Sequence, residues 1–191
     1  MRLELITAAA TEPVTLAEVK TRLRIDGSTD DAGVARLITA ATQYAQNITR
    51  RVFVTQTWAL ILDGFPCGSI PLPLPPLQTV DEITYVDADG VTQTLDPSAY
   101  AVDKAGIIGY VHRAFGTQWP ATRYQPMAVR IEFTAGYGAA TTVPSDLISG
   151  LMLLIGHWDQ SREAVVIGTI VSSVPLSVDS LLAPYVIPGV A

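Results

Sequence analysis

The sequence predicts an α+β fold: a small α-helical core of three main helices, with a large antiparallel β insertion between the second and third. Two observations predict it. Apolar residues recur at three- and four-residue steps over 15–24, 28–49 and 144–163, the spacing that lines one face of a helix. Between the last two of these segments the period falls to two, with glycine and proline turn signals between the alternating runs. A β segment of that size between helices reads as an insertion into a helical core. The expected parts are 1–51, the N-terminal helical part; 52–138, the β insertion; 139–163, the long last core helix; and 164–191, a C-terminal segment and tail.

In the first helix, TLAEVKTRLR, Thr15 and Glu18 have capping-box spacing, so hydroxyl and carboxylate satisfy free amides at the helix start. Leu16, Val19 and Leu23 form its apolar side, and Asp26-Gly27 is expected to end it with a left-handed glycine. In the second, Asp30 and Asp31 favour the N-terminus, and Arg50 and Arg51 the C-terminus. Val34, Leu37, Ile38, Ala41, Tyr44, Ala45 and Ile48 make its stripe, and Ala40, Ala41 and Ala45 allow close approach by another helix.

From Val52, VFVTQTWALILDGF alternates with apolar residues on both faces, which predicts a strand covered on both. The four prolines of IPLPLPPLQTV (70–80) exclude a central strand and predict an extended edge or surface strap. EITYVDADGVTQTL (82–95) is a hairpin, with Asp89-Gly90 the preferred pair for a two-residue turn. Residues 96–106 turn into a short strand, IIGYVHRAF leads to Gly116, and 118–126 is a loop dense in large side chains. AVRIEFTAGYG (128–138) alternates Val129, Ile131 and Phe133 against Arg130, Glu132 and Thr134, as a half-buried strand does.

The last helix is the strongest signal. Pro144, Ser145 and Asp146 suit its first turn, and Leu147, Ile148, Leu151, Leu154, Ile155 and Trp158 share one face. Met152 and Leu153 widen the apolar surface, which predicts burial on more than one side. Residues 164–178 then carry no charge and are rich in β-branched side chains. Exposed on a monomer they would be an aggregation hazard, so they are buried in their own domain or ordered against a neighbour. VDSLLAPY (178–185) has room for one helical turn or two before Pro184.

Composition narrows the function classes. Charged residues are 16% of the chain, against about a quarter in an ordinary soluble protein; a compact domain and a subunit buried against partners both fit. A net charge of −6 argues against a nucleic-acid-binding surface built on Lys and Arg. The single cysteine, Cys67, excludes an internal disulfide framework and fits a reducing cytoplasm. The N-terminus lacks the apolar core of a signal peptide, and no run reaches the roughly 20 apolar residues of a membrane span. A soluble intracellular protein is expected.

No constellation for catalysis or metal binding is legible. His112 and His157 lie in different element types, without metal-spaced companions. Cys67, in a Pro-Cys-Gly turn, has neither a helix start nor a basic neighbour to make it a thiolate. Asp81, Glu82, Asp87, Asp89, Asp96 and Asp103 cluster without a basic residue among them, which reads as a solvated acidic face. Asp87, Asp89 and Gly90 resemble part of a calcium loop, but the remaining ligand positions and the terminal glutamate are missing. No enzyme and no cofactor are expected.

Five stretches together carry a family resemblance: PVTLAEVKTRLRID, TQTWALILDGFP, IPLPLPPLQTVDEITYVDADGVTQTLDPSAY, FTAGYG and LLIGHWDQSREAVV. In this order, from about Pro13 to Tyr185, they resemble the head–tail connector (adaptor) proteins of long-tailed bacteriophages and prophages. The resemblance implies a structural virion protein, made in the bacterial cytoplasm and placed in the neck. It implies a homo-oligomeric ring, usually of twelve subunits, that binds beneath the portal protein. The ring extends the DNA channel toward a stopper or tail-completion protein, and genomic DNA passes without sequence-specific binding; no membrane is involved. A negative channel wall avoids phosphate contacts that would hold the DNA, which places Asp87 and Asp89 toward the channel. The uncharged segment and tail are then docking arms, with Val165, Val166, Ile167, Ile170, Val171, Leu176, Leu181, Leu182, Tyr185, Val186 and Ile187 as interface candidates. On that reading, residues 179–191 are removable without loss of fold. The alternatives are a neck stopper or a tail-tube or tail-completion subunit, against which the helices argue, and a packaging-associated nuclease, which would need a converging carboxylate set.

Overall fold

The helical periodicities become four α-helices in the computed structural model, which describes residues 1–160 and 176–187. These are Leu16–Leu23 (α1), Asp31–Thr49 (α2), Ser145–Gln160 (α3) and Leu176–Leu182 (α4). Eight strands accompany them: Arg2–Thr7 (β1), Gln56–Leu62 (β2), Ile70–Leu72 (β3), Leu77–Val86 (β4), Thr92–Thr94 (β5), Tyr100–Asp103 (β6), Gly109–Arg113 (β7) and Val129–Ala135 (β8). The chain divides into a β unit, Met1–Ala10 with Thr55–Tyr137, and a helical unit, Thr11–Val54 with Gly138–Ala191. The fold is therefore α+β with a β insertion between α2 and α3, as the periodicities predict. The helical turns expected near 178–185 are α4, and one detail differs: the N-terminal residues expected within the helical part begin with a strand of the β unit.

Within the helical unit, α3 packs against α1, α2 and α4. Leu147, Leu151, Leu154 and Ile155 of α3 are fully buried, among Val19 of α1, Val34, Ile38, Ala41 and Ala45 of α2, and Val178 and Leu182 of α4. Two glycines set how closely the neighbours approach. A Cβ on Gly150 would lie 3.3 Å from Leu182 Cδ2, and one on Gly156 would lie 3.2 Å from Leu23 Cδ2. Tyr44 meets Trp158 edge to face, with ring centroids 5.6 Å apart. The wider burial expected of α3 is not complete: Leu153 is exposed and Met152 half-buried, because no described element covers that side. Val54 and Gly138, the residues at which the helical unit is interrupted, form an isolated parallel bridge. That bridge holds the two halves of the helical unit together where the insertion departs and returns.

The α1 start is the capping box its spacing predicts: Thr15 N donates to Glu18 Oε2 at 2.7 Å and Glu18 N to Thr15 Oγ1 at 3.2 Å. Its end differs from expectation. The helix already ends at a left-handed Arg24 (φ 57°), where Ile25 N donates to Lys20 O at 3.0 Å; Gly27 is also left-handed (φ 77°) but lies beyond that cap. The backbone bonds of this Schellman-type ending offset the Cβ cost of a left-handed arginine. α2 also ends on a left-handed arginine, Arg50 (φ 56°). An ion pair from Lys20 to Asp31 ties α1 to the first turn of α2.

The β unit holds a five-stranded antiparallel sheet, ordered β1-β2-β8-β4-β5, and a three-stranded sheet, ordered β3-β7-β6. β8 alternates as predicted: Val129, Ile131 and Phe133 are fully buried, while Arg130, Glu132 and Thr134 are half-exposed. Its register aligns Leu60, Ile131 and Ile83 across three strands, giving the core face a continuous apolar row. β3 carries Pro71 at the edge of the smaller sheet, where a missing amide costs no ladder bond. The two sheets meet where Gly109 of β7 faces Leu77 of β4: a Cβ there would lie 2.3 Å from Leu77 Cδ2. The β4–β5 hairpin differs from the two-residue expectation. Gly90 N donates to Asp87 O at 3.0 Å and Asp87 N to Val91 O at 2.9 Å, with Gly90 left-handed at φ 88°. This is a three-residue loop with a bulge, the other common hairpin that needs a left-handed residue before its second strand. Among the described residues, no helix is long and apolar enough to cross a membrane.

Replacing Leu151 with Asp puts an unpaired carboxylate at the centre of the helical unit. The expected cost is several kcal/mol, about the whole stability of a marginal domain, read as loss of the cooperative melt in circular dichroism. Thr15→Ala removes one half of the capping box and is expected to cost about 1 kcal/mol in denaturant unfolding.

Candidate assembly surfaces

Three surfaces are candidates for assembly: the C-terminal strap of the helical unit, the acidic side of the β unit, and the loop between β7 and β8. Interface candidates Val165, Val166, Ile167, Ile170 and Val171 lie outside the described residues. The strap, residues 176–187, is α4 followed by a 3-10 turn at Ala183–Tyr185. It is not a free arm. Leu182 and Ile187, read from the sequence as interface residues, are buried inside the helical unit together with Val178. They serve the fold, because α4 supplies the side chains that close the core over Gly150 of α3. Leu176 and Val186 are exposed, and Leu181 and Tyr185 half-buried, so these four remain available to a partner.

The strap is latched by polar contacts that the sequence did not reveal. Arg51 Nε donates to Tyr185 O at 2.7 Å, and its guanidinium lies 6.0 Å from the Tyr185 ring centroid. Ile187 N donates to Thr49 O at 3.2 Å, and Tyr185 Oη lies 3.5 Å from Asp146 Oδ2. Burial pushes the Tyr185 phenol above its ordinary value, and the Asp146 carboxylate adds to the shift. The expectation that residues 179–191 are removable therefore fails: the deletion takes Leu182 and Ile187 out of the core.

The clustered acids of the β unit do not all share one face: some build turns, and others line the polar side of the large sheet. Asp87 Oδ1 accepts from the amides of Asp89 (3.1 Å) and Val91 (2.9 Å), while Oδ2 accepts from Gln93 Nε2 at 2.9 Å. The Gln93 bond first, then the Val91 amide, hold its carboxyl below the ordinary carboxylate range. Asp96 accepts from Ser98 N and Asp103 from Ala105 N, each at 2.8 Å, so three of the six acids build turns. Asp89 is exposed at the hairpin tip. The Arg123 guanidinium lies against that tip, since a Cβ on Gly90 would fall 2.3 Å from its Nη1. Arg123 is remote in sequence from the hairpin, and no local pattern could have paired them. On the polar face of the large sheet, Arg130 bridges Glu4 (2.8 Å) and Glu132 (2.9 Å). Glu82 stands directly opposite Glu132, and Asp81 accepts from Thr79 and Thr134.

The β7–β8 loop stacks Trp119 on Phe65, with centroids 4.9 Å apart and planes within 7°, and Phe65 meets Tyr85 edge-on at 5.8 Å. Phe115 and Tyr124 on the same loop are fully exposed. Beside the loop, Ser69 Oγ is 2.6 Å from His112 Nδ1, in an open, polar pocket also lined by Arg113, Thr117 and Gln118. No carboxylate lines that pocket to orient the imidazole, so it does not assemble a nucleophile–base–acid set. His157 is half-buried on α3, Cys67 is exposed, and the described residues contain no group of His, Cys, Asp and Glu able to hold a metal ion.

Comparison with known proteins agrees with this arrangement of helical unit and β insertion. The model of the head completion protein family matches residues 12–174. Among solved structures, a chain from the neck of an empty gene transfer agent particle, computed with C6 symmetry, superposes with a TM-score of 0.82 at 24% identity. That match covers 100% of this chain and 98% of the other. A chain from the virion of a native gene transfer agent particle gives a TM-score of 0.81 at 24% identity, and one from a native neck computed with C12 symmetry gives 0.81 at 23%. Both matches have the same coverage, 100% and 98%. No curated protein matches in sequence. At these identities the structural likeness establishes the fold.

Arg51→Ala removes the donor to Tyr185 O and is expected to raise amide exchange at Val186 and Ile187 well above that of the α3 core, read by hydrogen exchange. The hairpin turn should be sensitive to acid. The folded carboxyl of Asp87 is depressed, so its contribution is present above the unfolded value and is lost as pH falls through the folded one. Amide shifts at Asp89 and Val91 should therefore move below about pH 4, and Asp87→Asn should abolish that titration.

Proposed function

The chain belongs to the head completion protein family, and on that premise we propose that it is a structural ring subunit of the neck of a phage-like particle. There it joins the portal to the tail and continues the DNA channel. The observation that carries the reading is the family match across residues 12–174, which spans both units. The likeness to chains from particle necks computed with C6 and C12 symmetry supports a ring, and twelve subunits is the number we propose. Its role is mechanical, with no bond made or broken.

The physical chemistry of the surface fits that role. A ring subunit is flanked by copies of itself, which suits a chain with few charges and several exposed large apolar residues. On this reading Leu176, Leu181, Tyr185 and Val186, exposed or half-buried on the strap, are available to a neighbouring protein of the neck, with the portal and a stopper or tail-completion protein as the partners. Negative charge at Asp89 on the hairpin tip suits a wall past which DNA slides without being held.

Deleting the gene in the producing strain tests this directly. DNA-packaged heads without tails are expected, and wild-type particles should show the subunit as a ring between portal and tail in a neck reconstruction. Normally tailed particles from the deletion strain, or a wild-type neck without this chain, would refute the reading.

A further inference from the structure

The β7–β8 loop has a construction that the role of a passive connection does not explain. Phe115 and Tyr124 expose 107% and 106% of their reference areas, more than any other large apolar residue described. Exposed rings are common at the tips of loosely held loops, but this loop is anchored along its length. Thr117 Oγ1 donates to Ala114 O at 2.7 Å and to Ala99 O at 3.1 Å, and Arg123 N donates to Val86 O at 3.0 Å. Met127 N donates to Asp63 Oδ1 at 3.0 Å, and the Trp119–Phe65 stack pins the middle. Two rings of this kind, held out by a preorganised loop, are suited to bury large area at small entropic cost.

Charge identifies what they meet. The loop and its β7 root carry two cations, Arg113 and Arg123, and no acid. Neither arginine forms an ion pair among the described residues. The β unit as a whole has five Lys and Arg against nine Asp and Glu. Away from this loop, then, it carries three cations against the same nine acids. Asp81 and Glu82 also lack an ion pair among the described residues, and Glu82 faces Glu132 across the strands, a repulsion that an incoming cation relieves. A cationic aromatic loop and an acidic sheet face on one molecule are two different patches that complement each other. That is the requirement for a head-to-tail contact, the kind that closes into a ring.

Building on the ring proposed above, we infer that the β7–β8 loop is the lateral contact between subunits: Phe115 and Tyr124, flanked by Arg113 and Arg123, seat on the acidic face of the β unit in the next copy. Portal, stopper and DNA are the competing occupants.

The test places a photo-reactive benzoylphenylalanine at position 115, and separately at 124, in the full-length chain expressed in the producing strain, and irradiates purified particles. Adducts at multiples of the subunit mass are expected, with the cross-linked peptide mapping to 81–82 or 130–134. A cross-link to a different protein or to DNA, or none at either position in particles that contain the subunit, overturns the inference while leaving the neck role standing. Absence of the wild-type chain from the neck overturns the neck role itself, and the contact with it. As a second arm, Phe115→Ser with Tyr124→Ser changes only exposed side chains. The purified variant should melt as the wild type does, while its occupancy in particles falls about tenfold or more, as loss of two interface anchors implies. Undiminished occupancy would contradict the inference.

Discussion

Burial of one helix face governs the helical unit. α3 presents Leu147, Leu151, Leu154 and Ile155 without a polar atom among them, and it can do so only because three other helices cover that face. Two of those contacts depend on absent side chains, at Gly150 under Leu182 and at Gly156 under Leu23. Glycine inside a helix costs about 1 kcal/mol against alanine, and here the closer helix approach offsets that cost. α4 is thereby a structural element, and the end of the strap, at Tyr185 and Ile187, is drawn down onto Arg51, Thr49 and Asp146.

The β unit is built on a different constraint, the strict alternation of β8. With its even positions polar and its odd positions buried, β8 orients the whole five-stranded sheet. The resulting polar face carries carboxylates in excess of cations, with Arg130 bridging two of them. In the ring proposed above, that imbalance is what the cationic β7–β8 loop of a neighbouring copy would meet.

Much of this was legible beforehand because it is local. The capping box at Thr15, the periodic stripes of α2 and α3, the edge position of the proline-rich β3 and the alternation of β8 are each set by neighbours a few residues away. The resemblance of five ordered stretches pointed to the family that the match across 12–174 establishes. Structure and local signal part where one signal is compatible with two outcomes. Asp89-Gly90 serves a two-residue turn or a bulged loop, and strand register chose the latter. Gly27 looked like a helix cap, but backbone bonds already available at Arg24 stopped the helix earlier. Residues 2–7 form a strand only because β2 offers them an edge.

From its own residues, then, the chain determines which segments are helix and which are strand, and that an insertion separates α2 from α3. Periodicity and capping are short-range, so they survive without knowledge of the fold. Only the tertiary structure decided that Leu182 and Ile187 belong to the core, that Arg51 latches the strap, that Arg123 lies at the hairpin tip, and that Phe115 and Tyr124 are left in solvent. Each of those facts joins residues far apart in sequence, or depends on which side of an element remains uncovered. Hydrophobicity alone cannot distinguish an apolar side chain that has found its core from one still waiting for a partner.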